Sequence, residues 1–548
     1  MFNRFNLSLS RLAASARRFR RDEDGALIIF ALMMFVLMIM MGGFAVDLMR
    51  YENTRTNLQN TLDRSTLAAA ALNQQLDPES VVRDYMQKAG LADQIESVTV
   101  TSGLNSRIVH SIGKADTHPI FLHMLGINRF DAMGGSQAEQ SITNVEIVLV
   151  LDVSGSMTRN NKIGNLKTAA TAFVDQMLAN DPNHRVSITI VPYNAQVNIG
   201  PLLAAKFNLT NRNGVANVNC VELPLTVYGS LPLSRTLPMP MMAYADTAYG
   251  TSLINGYVSP VSGNAIPNYS NAFCKPTTVN MVRLPSNDGT TLKAEINALQ
   301  AGGNTSITLG MKWGVTLLDP TMRPMFADFI ASGDIPASMP SRPFDYNDGN
   351  SMKIVVLMTD GEHVSHDRIV DAYKTGASPI YLSTGDNNYS VHFTAGRPAA
   401  AGTKEYYVPH LNTWQAGPWN SGAGMAQQDW RDVWSKLRLS YVAWQFYGRA
   451  LGTDNTSRNS VYNNTINTMR GVYDSVPDMD ATLNSTCTAA KENGVIVYGI
   501  AFEAPVHGQE VIASCASSPA HYFAATGLQI QSAFSAIASN ITQLKLTQ

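Results

Sequence analysis

Three short stretches carry side chains that could do chemistry together. Asp152-Val153-Ser154-Gly155-Ser156 sets a carboxylate and two hydroxyls at alternate positions of one tight loop, with Gly155 letting the loop bend. Gly302-Gly303-Asn304-Thr305 supplies another hydroxyl just ahead of a helical pattern, and Thr359-Asp360-Gly361 supplies a second carboxylate. All five donors are hard oxygens. Such a set suits Mg²⁺ best, with Mn²⁺ or Ca²⁺ as alternatives, and does not suit a soft metal. Few carboxylates among mostly neutral oxygens leave a cation electrophilic. An acidic side chain of a partner could fill its open position.

Other chemistries fail on the residues. Glu362-His363-x-x-His366 lacks the order of a zinc-protease helix, and its histidines read as surface residues near the rim of the cation site. Ser154 is no hydrolase nucleophile, because Asp152 stands where the first Gly of G-x-S-x-G belongs. A phosphate-loop lysine motif is absent. The expectation is a binding protein and not an enzyme.

The elements that must position these residues are legible. VEIVLVL (145–151) is a continuous apolar run, as a strand buried on both faces requires, and it ends on Asp152. RVSITIVPY (185–193), KIVVLMT (353–359) and GVIVYGIAF (494–502) are three more such runs, KIVVLMT ending beside Asp360. Helical spacing marks Ile163–Leu178, with Pro182 as a stop signal, and also 292–299, 307–318, 481–493 and 529–544. Alternating strands and helices predict an α/β fold, a doubly wound, mostly parallel sheet. In such sheets ligands bind beyond the carboxyl ends of the strands, where Asp152 and Asp360 fall. Long insertions near 200–290, 320–350 and 363–470 should gather into a cap or extra lobe. Its aromatic cluster (Trp414, Trp419, Trp430, Trp434, Tyr441, Trp444, Tyr447) reads first as core packing.

Ala26–Val46 holds 21 uncharged residues. That is enough helix to cross a hydrocarbon core of about 30 Å. A cleaved signal would have a shorter apolar region and a better small-x-small site. Six arginines (4, 11, 17, 18, 20, 21) give residues 1–21 a charge of +6, so the N-terminus is expected in the cytoplasm. The remaining residues carry −8, which gives no electrostatic footprint for nucleic acid. The expected organisation is a basic segment (1–25), a transmembrane helix (26–46), a membrane-proximal helix (47–77), a small connecting region (78–140) and a large domain (141–548).

Four cysteines lie in two sequence-local pairs, Cys220 with Cys274 and Cys487 with Cys515. No C-x-x-C occurs, which argues against zinc and thioredoxin-like chemistry. In an oxidising compartment each pair could close a disulfide. The alternative is four buried thiols.

Two resemblances add to this reading. Gly25-Ala26, the apolar span, Val46-Asp47, Tyr51, Leu58-Gln59, Asp63 and Leu67-Ala68-Ala69-Ala70 resemble the N-terminal module of TadE/TadG-like Flp pilus-assembly proteins. Prepilin-like members of that system carry a Glu five residues after the processed Gly. Phe30 stands there in this chain, which favours a stable anchor. The oxygen-bearing trio resembles the metal-ion-dependent adhesion site of von Willebrand A domains. The resemblance implies Asp152, Ser154, Ser156, Thr305 and Asp360 as the metal set, the aspartates binding directly or through water. The expectation is a single-pass inner-membrane protein, mostly periplasmic, serving as a metal-dependent binding or scaffold protein in Flp/Tad pilus assembly and tight adherence. Pilus or envelope components are the expected partners. The alternatives are an envelope adhesin unrelated to pili and a von Willebrand A subunit of an enzyme complex. The last would need a cytoplasmic location and an ATPase partner.

Overall fold

The computed structural model describes residues 24–71, 76–102, 106–141, 144–179, 181, 184–248, 256–348 and 350–547. The arginine-rich start and Pro182 lie outside the described residues. The chain divides into two units, Met1–Ile142 and Thr143–Gln548.

The first unit is built on one helix, α1 (Asp24–Ala70). Its 47 residues would extend about 70 Å at 1.5 Å per residue. The apolar residues from Leu27 to Met41 are exposed on every side of it, so this part buries nothing against its own chain. The later part is one-sided. Leu58, Leu62, Ala69 and Ala70 are buried against a three-stranded antiparallel sheet and a second helix, α2 (Pro78–Lys88). The strands are β1 (Ile95–Ser102), β2 (Ser106–Thr117) and β3 (Phe130–Ser141). Asp77 caps α2 by accepting the Ser80 amide. The membrane-proximal helix thus ends at Ala70, not at residue 77. It shares one core with residues 81–138, so the expected connecting region and that helix form a single folded body.

The second unit is organised by a six-stranded sheet. Its strands are β4 (Asn144–Asp152), β5 (Val186–Tyr193), β6 (Arg283–Ser286), β7 (Ser351–Thr359), β8 (Ile496–Phe502) and β9 (Tyr522–Ala525). Their order is β9-β8-β7-β4-β5-β6. Every pairing is parallel except β5 with the edge strand β6. The four apolar runs become the four central strands, and both of their faces are covered. Ile147, Leu149 and Leu151 pack against α3 (Lys162–Leu178), α4 (Gly289–Ala298) and α8 (Gln529–Thr547). Val148 and Val150 pack on the other side, with α5 (Ile307–Leu318), α6 (Val476–Glu492) and α7 (Val506–Cys515).

The insertions do not form one lobe. Parts of the first and third share a core containing Ala245, Val258, Ala265, Trp430, Trp434, Tyr441 and Trp444. A five-stranded antiparallel sheet drawn from residues 377–429 closes over it. Trp414, Trp419 and Tyr447 are half-buried. The second insertion instead folds into a helix, Arg323–Ser332, whose Phe326 and Phe329 pack into the α5 face of the main sheet. Cys220 is bonded to Cys274, and Cys487 to Cys515, the latter joining α6 to α7.

Candidate functional site

Asp152 is the last residue of β4, and Asp360 directly follows β7. These strands are parallel neighbours at the middle of the sheet, with Leu151 opposite Met358. The register therefore delivers both carboxylates to the same carboxyl edge. Each is then fixed by its own surroundings. Asp152 Oδ1 accepts the Ser154 amide at 2.7 Å and Oδ2 accepts the Thr359 hydroxyl at 2.7 Å. Asp360 Oδ1 accepts the Ser156 hydroxyl at 2.6 Å, with Ser154 Oγ 3.4 Å away. The two serine hydroxyls are 3.1 Å apart.

The third loop is stitched to the first by its backbone. The Gly155 amide donates to the Gly303 carbonyl at 2.8 Å, and the Gly302 amide donates to the Val153 carbonyl at 2.8 Å. Gly303 has φ +90°, a left-handed conformation that glycine adopts without strain. This turn aims Thr305 at the site. A Cβ placed on Gly361 would lie 3.5 Å from Thr305 Oγ1 and 3.9 Å from Ser156 Oγ, so both hydroxyls lie beside that glycine. Asp152, Ser154, Ser156, Thr305 and Asp360 converge on one place. All but Ser156 are buried.

Lys162 belongs to the same place, and sequence reasoning missed it. The first residue of α3, it sets Nζ 3.0 Å from Asp360 Oδ2 and 3.8 Å from Glu503 Oε2. No local signal in the sequence marks a partner 198 positions away. Thr359 was also missed as the hydroxyl that holds Asp152.

The two carboxylates are held close together in a buried setting. Burial, and second the neighbouring Asp360 charge, push the Asp152 carboxyl up to about 7, against hydrogen bonds from Ser154 and Thr359 that pull it down. Lys162 neutralises Asp360 alone in part. A hard divalent cation between the loops would stabilise the ionised form of both carboxylates. Among the described residues no group of three or more His, Cys, Asp or Glu side chains is placed to hold a metal. Hydroxyls must therefore supply part of any ligand set here, and the donors present fit Mg²⁺, Mn²⁺ or Ca²⁺.

The two histidines are not surface residues. His363 and His366 are both buried. The Thr308 amide donates to His363 Nε2 at 3.2 Å, which leaves the proton on Nδ1, 2.7 Å from Asp480 Oδ1. Burial holds its pKa below the ordinary value. His366 Nε2 lies 2.8 Å from Gln196, and burial, with Arg368 second, pushes its pKa down to about 4. Both are neutral packing residues. They tie the loop after Asp360 to α5, α6 and the loop after β5. The surface reading failed because the covering segments come from distant parts of the chain.

Residues 25–72 match the family described as putative Flp pilus-assembly TadE/G-like. No curated protein matches the chain. Among solved structures, the vWF domain of a type V pilus tip protein from Porphyromonas gingivalis is 14% identical, with 74% of this chain and 97% of that one covered, at a TM-score of 0.30. The pilus adhesin SpaC from Lactobacillus rhamnosus GG is 11% identical, covering 82% of this chain and 33% of that one, at a TM-score of 0.28. The PilB minor pilin from Streptococcus sanguinis is 11% identical, covering 82% and 78%, at a TM-score of 0.27.

Proposed function

We propose, taking the TadE/G-like segment at residues 25–72 as the premise, that this chain is a membrane-anchored scaffold or adhesion protein of a Flp/Tad pilus machine. In this reading α1 crosses the inner membrane with the arginine-rich end in the cytoplasm. The second unit is a von Willebrand A-type domain in the periplasm. It acts by binding and not by catalysis. The two disulfides suit an oxidising compartment.

One observation carries the reading: five oxygen-bearing side chains from three loops meet at the carboxyl edge of the sheet. The cation, Mg²⁺ foremost, would supply a Lewis-acidic position for a carboxylate of the partner. Ser154, Ser156 and Thr305 would hold it through neutral oxygens, and Asp152 and Asp360 would balance its charge directly or through water. The buried histidines keep the loop after Asp360 in place. The partner is a pilus or envelope component offering an acidic side chain.

Recovery of partners from solubilised membranes tests this. A pilus or envelope component should co-purify in Mg²⁺ and be lost in chelator and in Asp152→Ala. Recovery unchanged by chelator would count against the reading.

A further inference from the structure

The last turn of the apolar part of α1 is strapped to a loop 73 or more residues away. Asp47 is buried there, 1% exposed. Its Oδ1 accepts the Ile120 amide at 2.8 Å, and its Oδ2 accepts the Phe121 and Leu122 amides at 2.9 and 2.8 Å. One turn earlier Gly43 is also buried, and a Cβ there would overlap the Phe121 ring. The loop is thus held flush against α1 where its uncharged run ends.

The outward side of the loop is mostly apolar, with His123 the exposed polar side chain among residues 119–127. Ile120, Met124, Leu125 and Ile127 are exposed, Met124 by 84%. They continue the exposed apolar surface of α1 itself, formed there by Met41, Phe44 and Met49. From His118 to Asn128 the sequence contains no Asp, Glu, Lys or Arg. Charge returns on both sides at once and is paired. Arg129 bonds Asp116 at 2.6 Å and Asp131 at 2.7 Å, and Lys114 bonds Asp131 at 2.9 Å.

We propose that residues 119–127 form a membrane-embedded wedge, seated in the leaflet from which α1 emerges. The inference rests on the reading of α1 as an anchor. A lipid surface is the occupant because the patch is continuous with the spanning helix and ends at an ion-paired collar. Water-facing apolar patches of this kind otherwise mark interaction sites. The Asp47 pairing also suits that depth. In a hydrocarbon border, unsatisfied amides and a bare carboxylate are both costly, and here each satisfies the other. With two points of insertion, the helix and the wedge, the first unit would be fixed in tilt and rotation about α1 and would not swivel on a single stalk.

The test uses the full chain in lipid nanodiscs. All four native cysteines are in disulfides, so an added thiol labels alone. Met124→Cys, Phe35→Cys and, on the exposed face of α2, Asp84→Cys each receive an environment-sensitive fluorophore. In the nanodisc the label at 124 should emit to the blue of its aqueous value and be quenched by nitroxide lipids labelled near the headgroup. Mid-chain nitroxides should quench the label at 35, and neither should quench 84. Quenching at 35 without quenching at 124 overturns the wedge and leaves the anchor standing. Quenching at neither overturns both. Shielding of 124 from aqueous iodide without lipid quenching would mean a protein covers the loop, and would also overturn the proposal.

Discussion

Ser156 and Asp360, 204 positions apart in the chain, are joined by a hydroxyl-to-carboxylate hydrogen bond of 2.6 Å. The bond spends the serine proton on the second carboxylate. It leaves the oxygen lone pairs of Ser156 free for a cation, and it fixes the distance between the loops after β4 and β7. Such cross-loop bonds hold the donor loops together, and donors held in place lower the reorganisation cost of binding.

Thr305 tests whether the third loop takes part. Thr305→Val keeps most of the volume and removes the hydroxyl. Calorimetric titration with Mn²⁺ should show affinity reduced by about tenfold or more, the scale seen when groups around a metal are removed. An unchanged Kd, with circular dichroism also unchanged, would exclude Thr305 from the ligand set.

Lys162 should oppose the cation and support the cation-free fold. Its pairing with Asp360 is nearly fully buried. Removing one partner of such a pair costs about 3–5 kcal/mol. Lys162→Gln should therefore lower the melting temperature in chelator, and saturating Mg²⁺ should restore part of the loss. Equal melting shifts in chelator and in Mg²⁺ would separate Lys162 from the cation site.

The raised Asp152 carboxyl gives a signed pH dependence. An unfolded aspartate titrates near 4, whereas the folded one titrates at about 7. Between those values the folded chain holds a proton that the unfolded chain has released. Cation-free stability thus falls as pH rises through this window. Cation affinity moves the other way, rising to about pH 7 and then levelling, because proton and cation compete for Asp152. Urea midpoints and calorimetric titrations across the window check both signs. Affinity independent of pH would contradict the assignment.

The Cys487–Cys515 bond closes a 28-residue separation between α6 and α7. Loop-closure entropy assigns such a bond about 3–4 kcal/mol. The double variant Cys487→Ala, Cys515→Ala should lose stability on that scale in urea unfolding, while cation affinity stays within twofold. None of Asp152, Ser154, Ser156, Thr305 and Asp360 lies on α6 or α7.

Much of this architecture was readable because burial on both faces leaves an uninterrupted apolar run. VEIVLVL, SITIV, KIVVLMT and VIVYGIAF became β4, β5, β7 and β8 for that reason. Helix α5 began and ended where its apolar spacing did, since every one of its residues is buried. The edges were not readable. β6 is four residues long, contains Pro285 and is mostly half-buried, so it carries neither an apolar run nor alternation. β3 reads FDAMGGSQAEQS, with one face open to solvent and two adjacent glycines. Helix α6 begins at Val476, not at residue 481, because Ser475 caps it and Pro477 fits the first turn.

At the site, the oxygen donors were legible from type and spacing, since a loop at a strand end advertises them. Lys162, Thr359 and the His363–Asp480 bond were not. Each acts through a partner brought by the sheet register and not by sequence neighbourhood.

In the proposed function Asp152, Ser154, Ser156, Thr305 and Asp360 hold one divalent cation. Titrating the chelator-treated full chain in detergent with Mn²⁺, read by electron paramagnetic resonance, measures this directly. The expected result is one bound ion per chain, displaced by Mg²⁺ and absent in Asp152→Ala of unchanged fold. No bound ion in the native chain, or an ion retained by Asp152→Ala with the same affinity, would contradict it.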